Sequence, residues 1–248
     1  MYDKNYLLEI ISQTKRILKN NYNKDDLIYI NFFEKEENKK EVKKSEIKII
    51  TGEENEEKEK KEKLIKELRE KYKKCKNCIL SKTRKNVVFD KGSAESKIMI
   101  ITSPPDEIED ENGIIFSGED KELFNNMMKA IGLDANKLYI TSIVKCHSKE
   151  HKLLTEKEIF ECMKILEEQI EIIKPKYILI FGNTAAQYFL KKYKTGITQL
   201  RGIIEKRNDY YVMATLHPKA IMKKPSEKRL VWEDLKKFRD LINGKLSE

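Results

Sequence analysis

All four cysteines of the chain fall into one arrangement: a Cys75-Lys-Asn-Cys78 pair, then Cys146 and Cys162 singly. A CxxC pair is a chelating spacing, because it lets a short loop present both sulfurs to one centre. Four thiolates suit either zinc or an iron–sulfur cluster. The bland alternative is four separate buried thiols, each packed as a small hydrophobe. Disulfides are not expected. The start, Met1-Tyr-Asp-Lys-Asn5, lacks the basic and apolar parts of a secretory signal, and the cytosol keeps thiols reduced. No stretch approaches the ~20 apolar residues of a membrane helix. The expectation is a cytoplasmic protein that makes no membrane contact.

A second set of residues suits acid–base and stacking chemistry. His217 is one of three histidines and precedes Pro218; Glu109-Asp110 is an acidic pair; Phe116 stands between Gly113 and Gly118 in a polar loop. His147 and His151 lie in another polar loop and are expected at the surface. The net charge is +9, yet 38% of residues are charged, so much of the lysine sits beside glutamate. That balance is compatible with nucleic acid without requiring it.

The elements that must position these residues begin in earnest at Cys75. Residues 1–74 read as a Lys/Glu-rich extension, with an amphipathic stretch over 6–18, an apolar run over 27–33, a Lys/Glu/Asn run over 34–44 too polar to fold alone, and isoleucines at 47, 49 and 50. A Lys/Glu helix over 53–74 has only Leu64, Ile65 and Leu68 to pack and is expected to be solvated. Residues 75–248 read as one domain. Unbroken apolar runs at 97–102, 138–144 and 177–181 alternate with helical patterns, one opened by the capping box Thr155-Glu-Lys-Glu158. Strand-like runs at 202–205 and 210–216 follow, then a helix capped by Ser226. The order predicts an α/β protein: a parallel β-sheet core with helices on both faces, a three-layer αβα sandwich. In such sheets ligands bind beyond the carboxyl ends of the strands, here near residues 102–118 and 217–222.

In series, these motifs resemble the uracil-DNA glycosylase superfamily, most closely its iron–sulfur type-4 branch. The resemblance runs from Cys75 to about residue 241. It rests on Cys75, Cys78 and Arg84; on Thr102-Ser-Pro-Pro-Asp106 with Glu109-Asp110 and Gly113-Ile-Ile-Phe116-Ser-Gly118, against a GEAPG–acidic–acidic–G–x–P–F–x–G pattern; and on Ile140-Thr-Ser-Ile-Val-Lys-Cys146. Cys162, Ile173-Lys-Pro-Lys176, Phe181-Gly182, Arg201-Gly202 and His217-Pro218 complete the order. The resemblance implies that Cys75, Cys78, Cys146 and Cys162 hold a structural [4Fe-4S] cluster. It also implies DNA as partner, one flipped base per site, and by analogy a monomer. Thr102, Ser103, Pro104, Phe116 and Ser142 would bind the base, with Phe116 stacking on it. His217 would donate to the uracil O2, Glu109 would serve the sugar or its attacking water, and Ile221 or Met222 would fill the vacated stack. Lys219, Lys223 and Lys224 would meet phosphates.

The departures from the family pattern fall on the pocket. Thr102 and Asp106 stand where it has glycines, Ser103 where it has a carboxylate, Ser142 where it has asparagine, and Lys219 where it has a small residue. Two functions follow from this mixture. One is a repair glycosylase acting on uracil or another deaminated base. The other is a DNA-binding protein of the same fold with weakened or lost turnover.

Overall fold

The computed structural model describes residues 52–149 and 154–246, all within one compact unit, Glu46–Glu248. The expectations for residues 6–18, 27–33, 34–44 and 47–50, and for His151, lie outside the described residues.

One six-stranded sheet organises the unit, in the order β1-β3-β2-β4-β6-β5. Its strands are β1 (Asp90–Gly92), β2 (Ile98–Thr102), β3 (Tyr139–Ser142), β4 (Tyr177–Phe181), β5 (Ile204–Arg207) and β6 (Tyr210–Thr215). The four central strands are parallel, as their unbroken apolar character predicts, because both of their faces are covered. The edges are antiparallel: β1 pairs with β3, and β5 returns as a hairpin on β6.

Alternate side chains of the strands divide between two cores. Met99, Ile101, Tyr139, Ile178, Ile180, Val212 and Ala214 join one apolar cluster with Ile65 of α1 (Gly52–Tyr72), Ile159 and Leu166 of α4 (Glu156–Ile173), and Ala185 of α5 (Asn183–Phe189). Ile100, Ile140, Leu179, Phe181 and Met213, the intervening residues, are equally buried. On that face Phe181 meets the edge of Phe124 from α3 (Asp120–Ala130), and Thr215 meets Asp234 of α8 (Lys228–Ile242). Three layers result.

Helix α1 is solvated along most of its length, as expected, and packs through Ile65 and Leu68, with Leu64 exposed; Arg69 also pairs with Asp90, and Lys71 and Tyr72 bond Glu168. One local expectation is corrected. Helix α8 is preceded by a 3-10 turn over Pro225–Glu227, so Glu227 rather than Ser226 stands at its N-cap. The capping box on α4 forms as the sequence suggests, with Thr155 accepting from the Glu158 N–H and Glu158 accepting from the Thr155 N–H.

Candidate active site

All four parallel strands deliver residues to one cleft of about 460 Å³ at their carboxyl ends. Ser103, Pro104, Pro105 and Asp106 follow β2, His147 and Ser148 follow β3, Thr184 and Tyr188 follow β4, and His217 and Lys219 follow β6. Glu109 reaches the cleft from α2 (Glu107–Asn112), the short helix that Asp106 caps.

His217 occupies the N-cap of α7 (Pro218–Lys223), with Pro218 in the first turn, where its missing N–H costs nothing. The Lys219 N–H donates to Nδ1 at 3.2 Å, which leaves the ring proton on Nε2. Nε2 in turn lies 2.9 Å from Thr102 Oγ1 and donates to it. Burial, reinforced by the Lys219 cation, pushes the imidazole down to about 3. The ring is therefore neutral at physiological pH and has one N–H to offer.

Glu109 is buried, and both its oxygens accept from backbone. Oε2 takes the Asp106 N–H at 3.0 Å, closing a capping box in which Asp106 Oδ1 accepts from the Glu109 N–H. Oε1 takes the Phe116 N–H at 2.6 Å. Burial raises its pKa despite these donors. The Phe116 contact fixes a residue held at a φ of 51°, in the sparsely populated left-handed region. One face of Phe116 stacks on Phe124, with centroids 4.1 Å apart, and the ring lies 5.8 Å from the His217 ring.

Two of the pocket departures meet each other, and a third meets His217. Thr102 caps His217, and Asp106 forms an ion pair with Lys219. Burial alone would raise the Asp106 carboxyl, but Lys219 and the Glu109 N–H hold it below the usual range. Behind this pair Asp120 is fully buried, and neither of its oxygens has a hydrogen-bond partner. Its nearest counter-charge is Lys219 Nζ, 3.9 Å away. Burial raises the Asp120 pKa, with Lys219 partly offsetting it.

Expected and observed pocket residues differ in several places. Ser103, Pro104, Glu109 and His217 line the cleft. Phe116 and Ser142 lie behind its wall, each 1% exposed, and the Ser142 hydroxyl donates to Val144 O at 2.8 Å. Thr102 reaches the cleft only through His217. Ser103 Oγ turns to Phe181 O at 3.3 Å. His147, expected at the surface, is half-buried in the cleft, its Nδ1 2.9 Å from Pro105 O. Asp106 also belongs to the site, and its signal was legible: Asp-x-x-Glu at 106–109 is a capping-box pattern. Lys219 and Lys224 pair with Asp106 and Glu227 rather than standing free for phosphates. Ile221 is buried; Met222 is 41% exposed.

Two motif glycines have tertiary reasons. At Gly182 (φ +96°) a Cβ would lie 2.2 Å from Ser103 Oγ, and at Gly202 (φ +67°) it would lie 2.4 Å from Asp234 Oδ1. Arg201 beside it makes a forked pair with Asp234, at 2.9 and 2.8 Å.

The four thiols are within electrostatic reach of one another: Cys75 acts on Cys78 and Cys162, and Cys78 and Cys162 act on Cys146. Burial, with Cys162 nearby, pushes the Cys146 thiol up to about 12. Arg84 bridges the loop, donating to Cys75 O and to Cys146 Sγ at 3.5 Å. Among the described residues no three His, Cys, Asp or Glu side chains meet closely enough to hold a single metal ion.

The fold is a parallel α/β sheet whose carboxyl ends build a cleft that His217 and Pro105 help to line. The family model of the uracil DNA glycosylase superfamily matches residues 89–236. The chain is 34% identical over 172 residues to a type-4 uracil-DNA glycosylase of Sulfurisphaera tokodaii, covering 66% of this chain and 78% of that one. It is 32% identical over 168 residues to the Thermotoga maritima enzyme of the same name, covering 66% and 88%. A DNA polymerase of Bacillus phage SP01 is 29% identical over 156 residues, 62% of this chain but 17% of the polymerase. The chain belongs to the uracil-DNA glycosylase superfamily.

Proposed function

We propose that this protein is a DNA-repair glycosylase that hydrolyses the bond between deoxyribose and uracil, or another deaminated base, in base excision repair. The observation that carries the reading is His217: neutral, and fixed with its proton on Nε2 in the lining of the cleft. As the bond breaks, negative charge grows on the leaving base, and a neutral N–H donor stabilises it. A base entering the cleft takes the Nε2 proton bond from Thr102. The sugar becomes cationic at the same moment, and ionised Asp106 on the cleft wall supplies a carboxylate that Ser103 cannot. Glu109 orients Asp106 through the capping box and holds the Phe116 loop.

Cys75, Cys78, Cys146 and Cys162 are the donors that would hold a [4Fe-4S] cluster. Their grouping supports this, and a cluster suits sulfurs set too far apart for one ion. A single zinc, with bonds of ~2.3 Å, would draw four sulfurs to within roughly 4 Å of each other. The cluster would serve as a structural tie between the cysteine loop, the segment after β3 and α4. The protein acts on DNA as a cytoplasmic monomer in this reading, with residues 1–74 as an extension of the domain at 75–248.

One feature favours a second reading, a DNA-binding protein with weakened turnover. Thr102, Ser103, Asp106, Ser142 and Lys219 all satisfy their polar groups within the protein. Incubation with uracil-containing single- and double-stranded oligonucleotides, followed by cleavage at abasic sites, separates the two. Base release that disappears in His217→Ala supports the enzyme. An inert wild type that still binds DNA, and stays inert as Ser103→Glu/Ser142→Asn, supports the binding protein.

A further inference from the structure

A second cleft, larger than the base pocket, opens on the described surface. It encloses about 1050 Å³ beside the cysteine loop, and its charged lining is entirely cationic: Lys73, Lys74, Lys76, Lys82, Arg84 and Lys85. In a chain with 51 basic and 42 acidic residues, such a one-sided lining is a local departure from the average. Lys73 and Lys85 have carboxylate partners, Glu70 and Glu111, and Arg84 is engaged by the cysteine loop. Lys74, Lys76 and Lys82 are exposed and have no partner among the described residues. Ile79 stands among them, 55% exposed, as an apolar surface between cations.

The cleft and the base pocket are the two ends of one helix. Asp106 and Glu109 at the start of α2 wall the pocket, while Asn112 and Gly113 at its end line the basic cleft. Six residues of α-helix span about 9 Å. The junction is braced: the buried Asp110 carboxylate accepts from the Lys85 and Asn86 N–H groups at 2.8 and 3.0 Å, and the Asn86 side chain donates to Asp110 O at 2.7 Å. The cleft is therefore held at a fixed distance from the pocket.

We propose that this cleft is a second DNA contact, in which Lys74, Lys76 and Lys82 bind backbone phosphates outside the base pocket, with Ile79 against the adjoining sugars. The cysteine loop is then part of the DNA-binding face as well as a metal-binding element. The inference rests on the DNA-directed reading of the pocket, but not on turnover.

The test is a salt series of binding to a uracil-free oligonucleotide, read by fluorescence anisotropy. It compares the full-length wild type, Lys74→Gln/Lys76→Gln/Lys82→Gln, and a control carrying the same charge change on exposed lysines of α1, Lys60→Gln/Lys63→Gln/Lys66→Gln. Each phosphate contact contributes roughly 0.7–0.9 to the slope of log affinity against log salt. The cleft variant should lose about 2–3 from that slope at an unchanged thermal midpoint, while the control keeps it. An unchanged slope in the cleft variant overturns the proposal, as does an equal loss in both variants, which would mean net charge alone. The expected slopes from a protein that releases no base in the separate assay on uracil-containing oligonucleotides would sink the glycosylase reading and leave the second contact standing.

Discussion

The cysteine loop and the base pocket lie at opposite ends of α2, yet they depart from the family pattern to different degrees. The cysteine end retains its four thiols and Arg84 in their motif positions. The pocket end has exchanged five residues, and two of the exchanges are paired with each other. Thr102 satisfies His217, Asp106 satisfies Lys219, and Ser103 and Ser142 turn to backbone carbonyls. If the four thiols hold one cluster, as proposed, the set tolerates no partial change, because each ligand is required by the same centre. A pocket wall can change if a second residue restores the lost hydrogen bond or charge.

That contrast is easiest to break at the cysteines. Cys162→Ser should abolish iron and sulfide content, remove the absorbance near ~400 nm, and lower the thermal midpoint by roughly 10 °C or more, as a loss of about 4 kcal/mol would in a chain of this size. Retained iron with an unchanged midpoint would reduce the four thiols to ordinary core. At the pocket, Asp106→Asn and His217→Ala should each slow base release by about 10²–10³-fold, or roughly 3–4 kcal/mol, with DNA affinity kept. Glu109→Gln sharpens the assignment. If Glu109 acts by holding Asp106 and Phe116, its loss should lower thermal stability as well as rate, which a purely catalytic group would not do.

Gly182→Ala should cost about 2–4 kcal/mol, from a glycine-only backbone conformation and a collision with Ser103. Pairing it with Ser103→Gly should recover the collision part in a denaturation series. Linked change predicts that Lys219→Ser alone is worse than Lys219→Ser with Asp106→Gly, by a coupling of about 1 kcal/mol or more in a double-mutant cycle. Additive effects would mean independent drift. A further effect, absent near neutral pH, is on pH dependence. Because the His217 pKa lies near 3 when folded against an ordinary 6.5, the unfolded chain binds the extra proton between those values. Its contribution to stability is complete above pH 6.5 and is lost as pH falls toward 3, at up to about 1.4 kcal/mol per unit. His217→Gln should flatten that part of the profile.

The parallel core, the capping box at Thr155 and the placing of a pocket at the strand ends were legible in the sequence, because apolar runs and caps are local signals. The spacing of Cys75 and Cys78 was equally local. The antiparallel edges were not, since β1 is three residues long and β5 declares itself only by pairing with β6. Glu109 was legible as a pocket residue but not as a clamp: its partners, the Asp106 and Phe116 N–H groups, are set by how the loop closes.

The linear order of residues determined the fold class and the candidates for chemistry, because periodicity, capping and motif order are written along the chain. Only the tertiary structure decided what each candidate faces. It buried Phe116 and Ser142 behind the wall, drew His147 into the cleft, and set Lys219 against Asp106 across 113 positions of sequence. The physical reason is that hydrogen bonds and charge pairs act over a few ångströms of space, whatever distance separates the partners along the chain.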